Sequence, residues 1–331
     1  MIKFDETKQI ESVRGALALR PQIEKIVDEI CEKGYDAIYY IGIGGTYASS
    51  MQAVTHIKGM SSVPAYVENA AEYNTTGNRR IGKKSVVVIS SVTGSTQEMV
   101  ESVKRVKEAG ATVIGFIDVE TAQLAGMVDY EIAYSANEQL KFFMVADRFM
   151  KNNGDFSDYD RYYAQIEKYL PQALVEVEKA ADEFGKAFAE KHKDDKIHYF
   201  IGAGNQYGAT YSYAMCYWEE QHWIRTKSIH AAEFFHGMLE IVERDTPVTV
   251  FVGEDAERPL AERVAKFLPR ICANYTIIDT KDYPLEGISP EFRGNISHLV
   301  MHAVTQRIDA HMEQINCHPM EIRRYYRQLN Y

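Results

Sequence analysis

Between positions 91 and 98 the chain reads Ser91-Val92-Thr93-Gly94-Ser95-Thr96-Gln97-Glu98, with four hydroxyls and a glycine inside six residues. A buried-type strand precedes this segment and a helix-length segment follows it. Hydroxyl donors, free N–H groups at a helix start and the helix dipole together suit a phosphate. The competing explanation is a helix cap, because Ser95 followed by Glu98 fits a capping box. The loop holds no lysine, so a Walker loop is untenable. Farther along, carboxylates and imidazoles concentrate in Glu219-Glu220-Gln221-His222, then His230, then Glu233-Phe234-Phe235-His236-Gly237. A glutamate and a histidine beside a phosphate loop are what proton transfer on a sugar phosphate needs. The glutamate moves a proton between adjacent carbons, and the histidine serves ring and hydroxyl oxygens. Taken singly, Glu219 and Glu220 also fit a solvated helix end, and His236 a satisfied histidine near a helix start. The spacing gives neither HExxH nor a facial triad, so no metal is expected.

These groups must be positioned by something, and the chain repeats itself to do it. Ile38-Tyr39-Tyr40-Ile41-Gly42-Ile43-Gly44 is a buried-type strand entering a Gly-x-Gly turn, and His198-Tyr199-Phe200-Ile201-Gly202-Ala203-Gly204 does the same. A helix-length segment follows each, about 46–58 and 205–222. Then come a short strand and a near-identical tetrad, Ala70-Ala71-Glu72-Tyr73 and Ala231-Ala232-Glu233-Phe234. The next strands, 85–90 and 247–253, keep an offset of about 160, so one unit is written twice. Continuous Val/Ile runs between helices mean strands buried on both faces, hence a parallel sheet. The expected fold is α/β, two tandem lobes, each a three-layer, doubly wound, mostly parallel sheet. A polar segment of helical period, about 158–193, reads as a long connecting helix. Tyr47 and Tyr207 stand where a dinucleotide turn needs its third, small glycine, which argues against a nicotinamide enzyme.

Composition sets outer limits. The 331 residues are 25% charged and 46% hydrophobic, an ordinary globular balance. A net charge of -10 repels polyanions, so neither nucleic acid nor an acidic membrane is expected as a partner. The four cysteines, at 31, 216, 272 and 317, form no CxxC pair. No apolar leader opens the sequence and no apolar run approaches membrane length, so a cytoplasmic location is expected.

The duplicated lobe, the Ser91-x-Thr93-Gly94-x-Thr96 loop and Glu233-Phe234-Phe235-His236-Gly237 resemble the double sugar-isomerase (SIS) domain proteins. His318-Pro319 before Arg323-Arg324-Tyr325-Tyr326, and Trp223-Ile224 leading to Ile229-His230, narrow the resemblance to the fructosamine-6-phosphate deglycases. It covers essentially the whole chain. It implies phosphate binding by Ser91, Thr93, Ser95 and Thr96, with Gly45 and Thr46 lining the site. The family's catalytic glutamate lies sixteen residues before the histidine of the His-Gly pair, which here is Glu220 and not Glu219. His236 matches the histidine tied to ring opening and proton transfer. Glu233, His230, Arg323, Arg324 and Arg327 are further candidates for substrate contact, the arginines because the family's C-terminal tail closes over the site. The family works without a cofactor, as a homodimer or higher homo-oligomer whose active site forms at the subunit interface. Met238 after His-Gly, Ala232 before Glu233, Ile43 before the first glycine pair and the tail from Tyr326 depart from the family's usual residues.

The implied reaction cleaves fructose-amino-acid (Amadori) 6-phosphates to glucose 6-phosphate and a free amine. The alternatives are an aldose–ketose isomerase or glucosamine-6-phosphate deaminase-like enzyme, and a non-catalytic sugar-phosphate sensor. The expected layout is an N-terminal helical segment (1–34), lobe 1 (35–154), the connecting helix (155–194), lobe 2 (195–315) and a tail closing on the active site (316–331).

Overall fold

A computed structural model describes residues 1–119 and 121–329. The last two residues of the expected tail lie outside them. The chain divides into two compact units, one of Ile10–Glu167 and one of Met1–Gln9 with Lys168–Tyr331.

The unit built on Ile10–Glu167 begins with α1 (Glu6–Leu17, entering from the other unit) and α2 (Arg20–Lys33). Then β1 (Ala37–Gly42), α3 (Gly45–Met60), β2 (Ala65–Asn69), α4 (Ala70–Thr76), β3 (Ser85–Ser91) and α5 (Gln97–Glu108) alternate. β4 (Thr112–Ile117), β5 (Tyr130–Ile132), α6 (Glu138–Asn152) and the start of α7 (Tyr159–His192) complete it. The sheet order is β2-β1-β3-β4-β5, every pair parallel. All of β1 and β3 is buried. Alternate residues serve opposite faces: Tyr39, Ile41, Val87 and Ile89 share a core with Val100 and Val103 of α5. Tyr40 instead meets Phe142 of α6, ring centroids 5.2 Å apart. The sheet is thus covered on both sides, as its unbroken apolar strands require.

The other unit repeats the plan with β6 (Ile197–Gly202), α8 (Asn205–Ser212), a π-helical stretch Tyr213–Glu219, β7 (Arg225–His230) and a 3₁₀ turn Ala231–His236. β8 (Val248–Val252), α9 (Arg258–Phe267), β9 (Tyr275–Asp279) and α10 (Pro290–Asn316) follow. Its order, β7-β6-β8-β9, again all parallel, is the first sheet's order without a fifth strand. Val248, Val250 and Val252 pack with Val264 and Leu268 on one face. Phe200 packs on Tyr213 and Trp218 on the other, at 5.2 and 5.1 Å.

In this unit α10 is tied to α7 through Arg307, 1% exposed. Its guanidinium donates to Asp182 Oδ1 from Nε (2.9 Å) and Nη2 (2.7 Å), and to the Ile2 carbonyl at 2.7 Å. The Glu178 carboxylate, also buried, stands 3.8 Å from Arg307 Nη1. Burial pushes the Glu178 carboxyl up to about 7, with Arg307 opposing. No helix among the described residues is long and apolar enough to cross a membrane.

Candidate functional site

In the first sheet the strand order reverses between β1 and β3, and ligands of such sheets bind beyond the carboxyl ends at that point. The Gly42–Thr46 turn leaves β1 there and the Ser91–Thr96 loop leaves β3, with Ile41 paired to Ile89 just behind them. Gly42 is needed because a Cβ would lie 2.7 Å from the Tyr47 nitrogen, where α3 folds back onto the strand. Gly44, at φ +60°, precedes α3; no side chain caps the helix and nothing lies within 4 Å of the space a Cβ would take. Among the described residues, then, no side chain caps the amides at this helix start. Gly45 and Thr46 open the helix, and the Thr46 hydroxyl donates to Glu138 Oε2 at 2.9 Å.

The hydroxyl loop holds its own shape sparingly. Ser91 Oγ, buried, accepts from Gly94 N–H at 3.0 Å. Gly94 has φ +58°, and a Cβ there would strike the Ala122 methyl at 2.3 Å. Thr93 Oγ1 accepts a long bond from Ser95 N–H at 3.4 Å. Thr96, not Ser95, is the N-cap of α5, and its side chain caps nothing. The capping box is therefore not formed, and among the described residues no side chain caps the N–H groups at the helix start, groups of the kind that attract anions. Ser90 Oγ, one residue earlier, is buried without a hydrogen-bond partner among the described residues.

The second unit fills the equivalent turn with its own side chains. Strand register and the N-caps Thr96 and Glu257 set Ser91–Thr96 (SVTGST) against 252–257 (VGEDAE). All four hydroxyls are gone, and an aspartate stands for Gly94. Gly204 again has φ +60°, yet Asn205 N–H donates to Asp255 Oδ2 at 2.8 Å and Gly204 N–H to Glu257 Oε2 at 3.0 Å. A Cβ on Gly204 would lie 2.3 Å from Asp255 Oδ1. Two copies of one Gly-x-Gly turn thus differ: one is open, the other closed by carboxylates. His230 belongs to the closed one. Its Nδ1 accepts from Ala232 N–H at 3.1 Å and its Nε2 is 3.5 Å from Glu257 Oε2.

Glu220 is presented by the π-helical stretch, with its N–H bonded five residues back to the Met215 carbonyl at 3.1 Å. Such one-turn irregularities often mark functional positions. Trp218, fully buried, anchors one side of Glu220. On the other side His222 Nε2 bonds Asp309 Oδ1 of α10 at 3.0 Å, and the Tyr213 hydroxyl donates to the same oxygen at 3.0 Å. Burial raises the Asp309 carboxyl. Glu219 and Glu220 then part ways. Glu219, exposed, accepts from the Thr226 hydroxyl at 2.9 Å and N–H at 3.2 Å, which fixes the entry to β7. Glu220, half-buried, is met by Arg323 Nε and Nη2, each at 2.8 Å. Arg324 lies 3.9 Å over the Trp223 ring. A cavity of about 380 Å³ opens here, lined by Glu220, Trp223, Arg225, Arg323, Arg324 and Tyr326 among others.

The structure thus gathers Glu220, Arg323 and Arg324. His236, at the exposed end of the 3₁₀ turn, and Glu233 line no part of this cavity, and neither side chain makes a hydrogen bond among the described residues. Arg327 lies 5.1 Å from the Tyr326 ring, also outside the cavity lining. Sequence reasoning missed Glu138, the Asp255–Glu257 closure, the His222–Asp309 pair, Trp223 as a lining residue and Arg225. Setting the two post-strand loops side by side would have exposed the closure. His192, Asp195 and His198 lie close enough to suggest a metal. However, Asp195 Oδ2 bonds both ring Nδ1 atoms at 2.8 Å, and His198 Nε2 is 2.8 Å from the Thr249 hydroxyl. Burial lowers His198 to about 4, so it is neutral. Hydrogen bonding fully explains its place in the core.

Comparison with known proteins bears on the fold. The SIS domain model matches residues 34–147. The chain is 25% identical over 322 residues to the fructosamine deglycase FrlB of Bacillus subtilis (strain 168), covering 94% of this chain and 97% of that one. It is 22% identical to the fructoselysine 6-phosphate deglycase of Escherichia coli (strain K12), with 82% and 80% covered. A crystal structure from Bacillus subtilis, provisionally described as a phosphosugar isomerase, superposes with TM-score 0.89 at 23% identity over 96% of this chain and 99% of that one. The C-terminal domain of the glucosamine-fructose-6-phosphate aminotransferase of Francisella tularensis gives 0.79 at 15% identity, with 95% of each chain covered. Residues 34–147 thus match the SIS domain, and the chain as a whole is an α/β protein of two parallel sheets, five and four strands, that is similar over most of its length to the two deglycases.

Proposed function

We propose that this protein is a deglycase acting on 1-amino-1-deoxyfructose 6-phosphates that carry an amino acid. The observation that carries the proposal is Glu220, delivered by a π-helical turn to the wall of a cavity that Arg323 and Arg324 also line. The open turn and hydroxyl loop of the first unit support it. They offer uncovered amides and hydroxyls to a phosphoryl group, a site that the overall charge of -10 does not oppose. The names of the relatives support the substrate class.

Ser91, Thr93, Ser95 and Thr96, with the Gly45 and Thr46 amides, bind the phosphate, and that binding energy orients the sugar. His236 assists opening of the ring to the keto form. Glu220 takes a proton from C1 while O2 gains one, giving a C1–C2 enaminol. The proton then returns to C2, leaving a C1=N Schiff base. Water adds to C1, and the C–N bond breaks to release glucose 6-phosphate and the amine. In this proposal the enzyme works as a homodimer, and His236, exposed and unengaged, serves the site of the second copy. Glu220→Gln should abolish glucose 6-phosphate release from fructoselysine 6-phosphate while sugar-phosphate binding persists. Near-normal turnover by that variant would overturn the assignment. Ammonia release from glucosamine 6-phosphate in place of amine release would point to deamination.

A further inference from the structure

The walls of the Glu220 cavity carry a charge pattern that the proton transfer does not use. Its two carboxylates are committed: Glu220 to the Arg323 guanidinium, Glu219 to Thr226. Two other cations, Arg225 at the start of β7 and Arg324 in the tail, line the same cavity and have no carboxylate partner among the described residues. Arg324 rests at 3.9 Å on Trp223, whose other ring neighbour is His318, centroids 4.2 Å apart. Trp223 itself has φ +61°, a left-handed conformation that is strained for a bulky residue. The chain therefore spends strain to hold an indole beneath a guanidinium, inside a locally cationic cavity of a strongly anionic protein.

We infer that this cavity is the subsite for the amine half of the substrate, and that Arg225 and Arg324 select amines bearing a carboxylate. The inference rests on Glu220 as the base at C1. The nitrogen is bonded to C1, and in an amino acid linked through its α-nitrogen the carboxyl carbon lies two bonds beyond that nitrogen, so it falls within about 4 Å of C1. A carboxylate placed there meets the unpaired guanidinium groups, and the flat face of Trp223 offers packing to the side chain that follows. A neutral amine of similar size would leave both charges unanswered.

The test compares two substrates that differ by one carboxylate: fructose 6-phosphate carrying glycine at C1, and the same sugar carrying methylamine. The wild type should favour the glycine compound by roughly 10- to 100-fold in kcat/KM, the value of a charge-assisted hydrogen-bonded contact. Arg225→Gln and Arg324→Gln should each reduce that preference toward unity, chiefly through KM of the glycine compound. Equal use of both compounds by the wild type, or an undiminished preference in both variants, would overturn the inference and leave the deglycase assignment standing. If neither compound is cleaved, the deglycase assignment fails, and calorimetry still decides the subsite. Tighter binding of the glycine compound that is lost in the arginine variants upholds it, and equal affinity ends it.

Discussion

Glu178 offers the sharpest test of the packing that supports the site. Its carboxyl is buried in α7, 3.8 Å from Arg307, and is raised from an ordinary 4.5 to about 7. A raised acid stabilises the fold only where it is protonated. Its contribution is fully present below pH 4.5, falls as the unfolded chain begins to ionise, and is lost once pH passes about 7. The span from 4.5 to about 7 corresponds to roughly 3 kcal/mol at 1.36 kcal/mol per pH unit. Glu178→Gln fixes the neutral form. At pH 8.5 the variant should be more stable than the wild type by up to about 3 kcal/mol. At pH 4.5 the two should agree, since Asp182 still pairs with Arg307 in both. Urea unfolding at a series of pH values measures the difference directly. A gap that does not change with pH, or a variant less stable at pH 8.5, would refute the argument and show that attraction to Arg307 outweighs burial.

Three further outcomes are expected. Asp309→Asn, by loosening the hydrogen bonds to His222 and Tyr213, should lower kcat about tenfold with little change in KM, since misplacing a reacting group costs rate before binding; unchanged kcat would remove Asp309 from the positioning of Glu220. Ser91→Ala together with Thr96→Ala should raise KM for any sugar 6-phosphate and abolish protection of the 91–98 backbone from hydrogen exchange by inorganic phosphate; full protection in the double variant would place the phosphate elsewhere. Mixing inactive Glu220→Gln with inactive His236→Asn should restore up to about a quarter of the activity if each site draws on two copies and subunits exchange at random. No recovery after verified exchange would assign both residues to one chain.

The parallel sheets were legible because buried parallel strands leave unbroken apolar runs, as in Ser85–Ser91 and Val248–Val252. The long helix Tyr159–His192 was legible from its period. The segment taken as one helix over 205–222 is in fact α8 followed by the π-helical stretch. A shift from i−4 to i−5 bonding leaves no compositional trace. Glu220 and Glu219 look alike in sequence, and only the tertiary partners Arg323 and Thr226 separate them. Buried pairs such as Asp309–His222 join residues 87 positions apart, a distance over which local pattern is silent.

The closed turn of the second unit has a consequence for how the two halves respond to their surroundings. Asp255 and Glu257 act as a permanent prosthetic anion, supplied by the gene and present at unit stoichiometry, so α8 gains nothing from dissolved ions. The open turn at Gly44 has no carboxylate of this kind against it among the described residues, so in the proposed function it takes its counter-charge from solution. An anion present there at a hundredfold its Kd would add about 2.7 kcal/mol to the stability of that half alone. A simple anion such as inorganic phosphate would then steady one half of the chain and be invisible to the other. Starvation of the ligand should therefore appear first as local fraying and proteolysis within Ile10–Glu167.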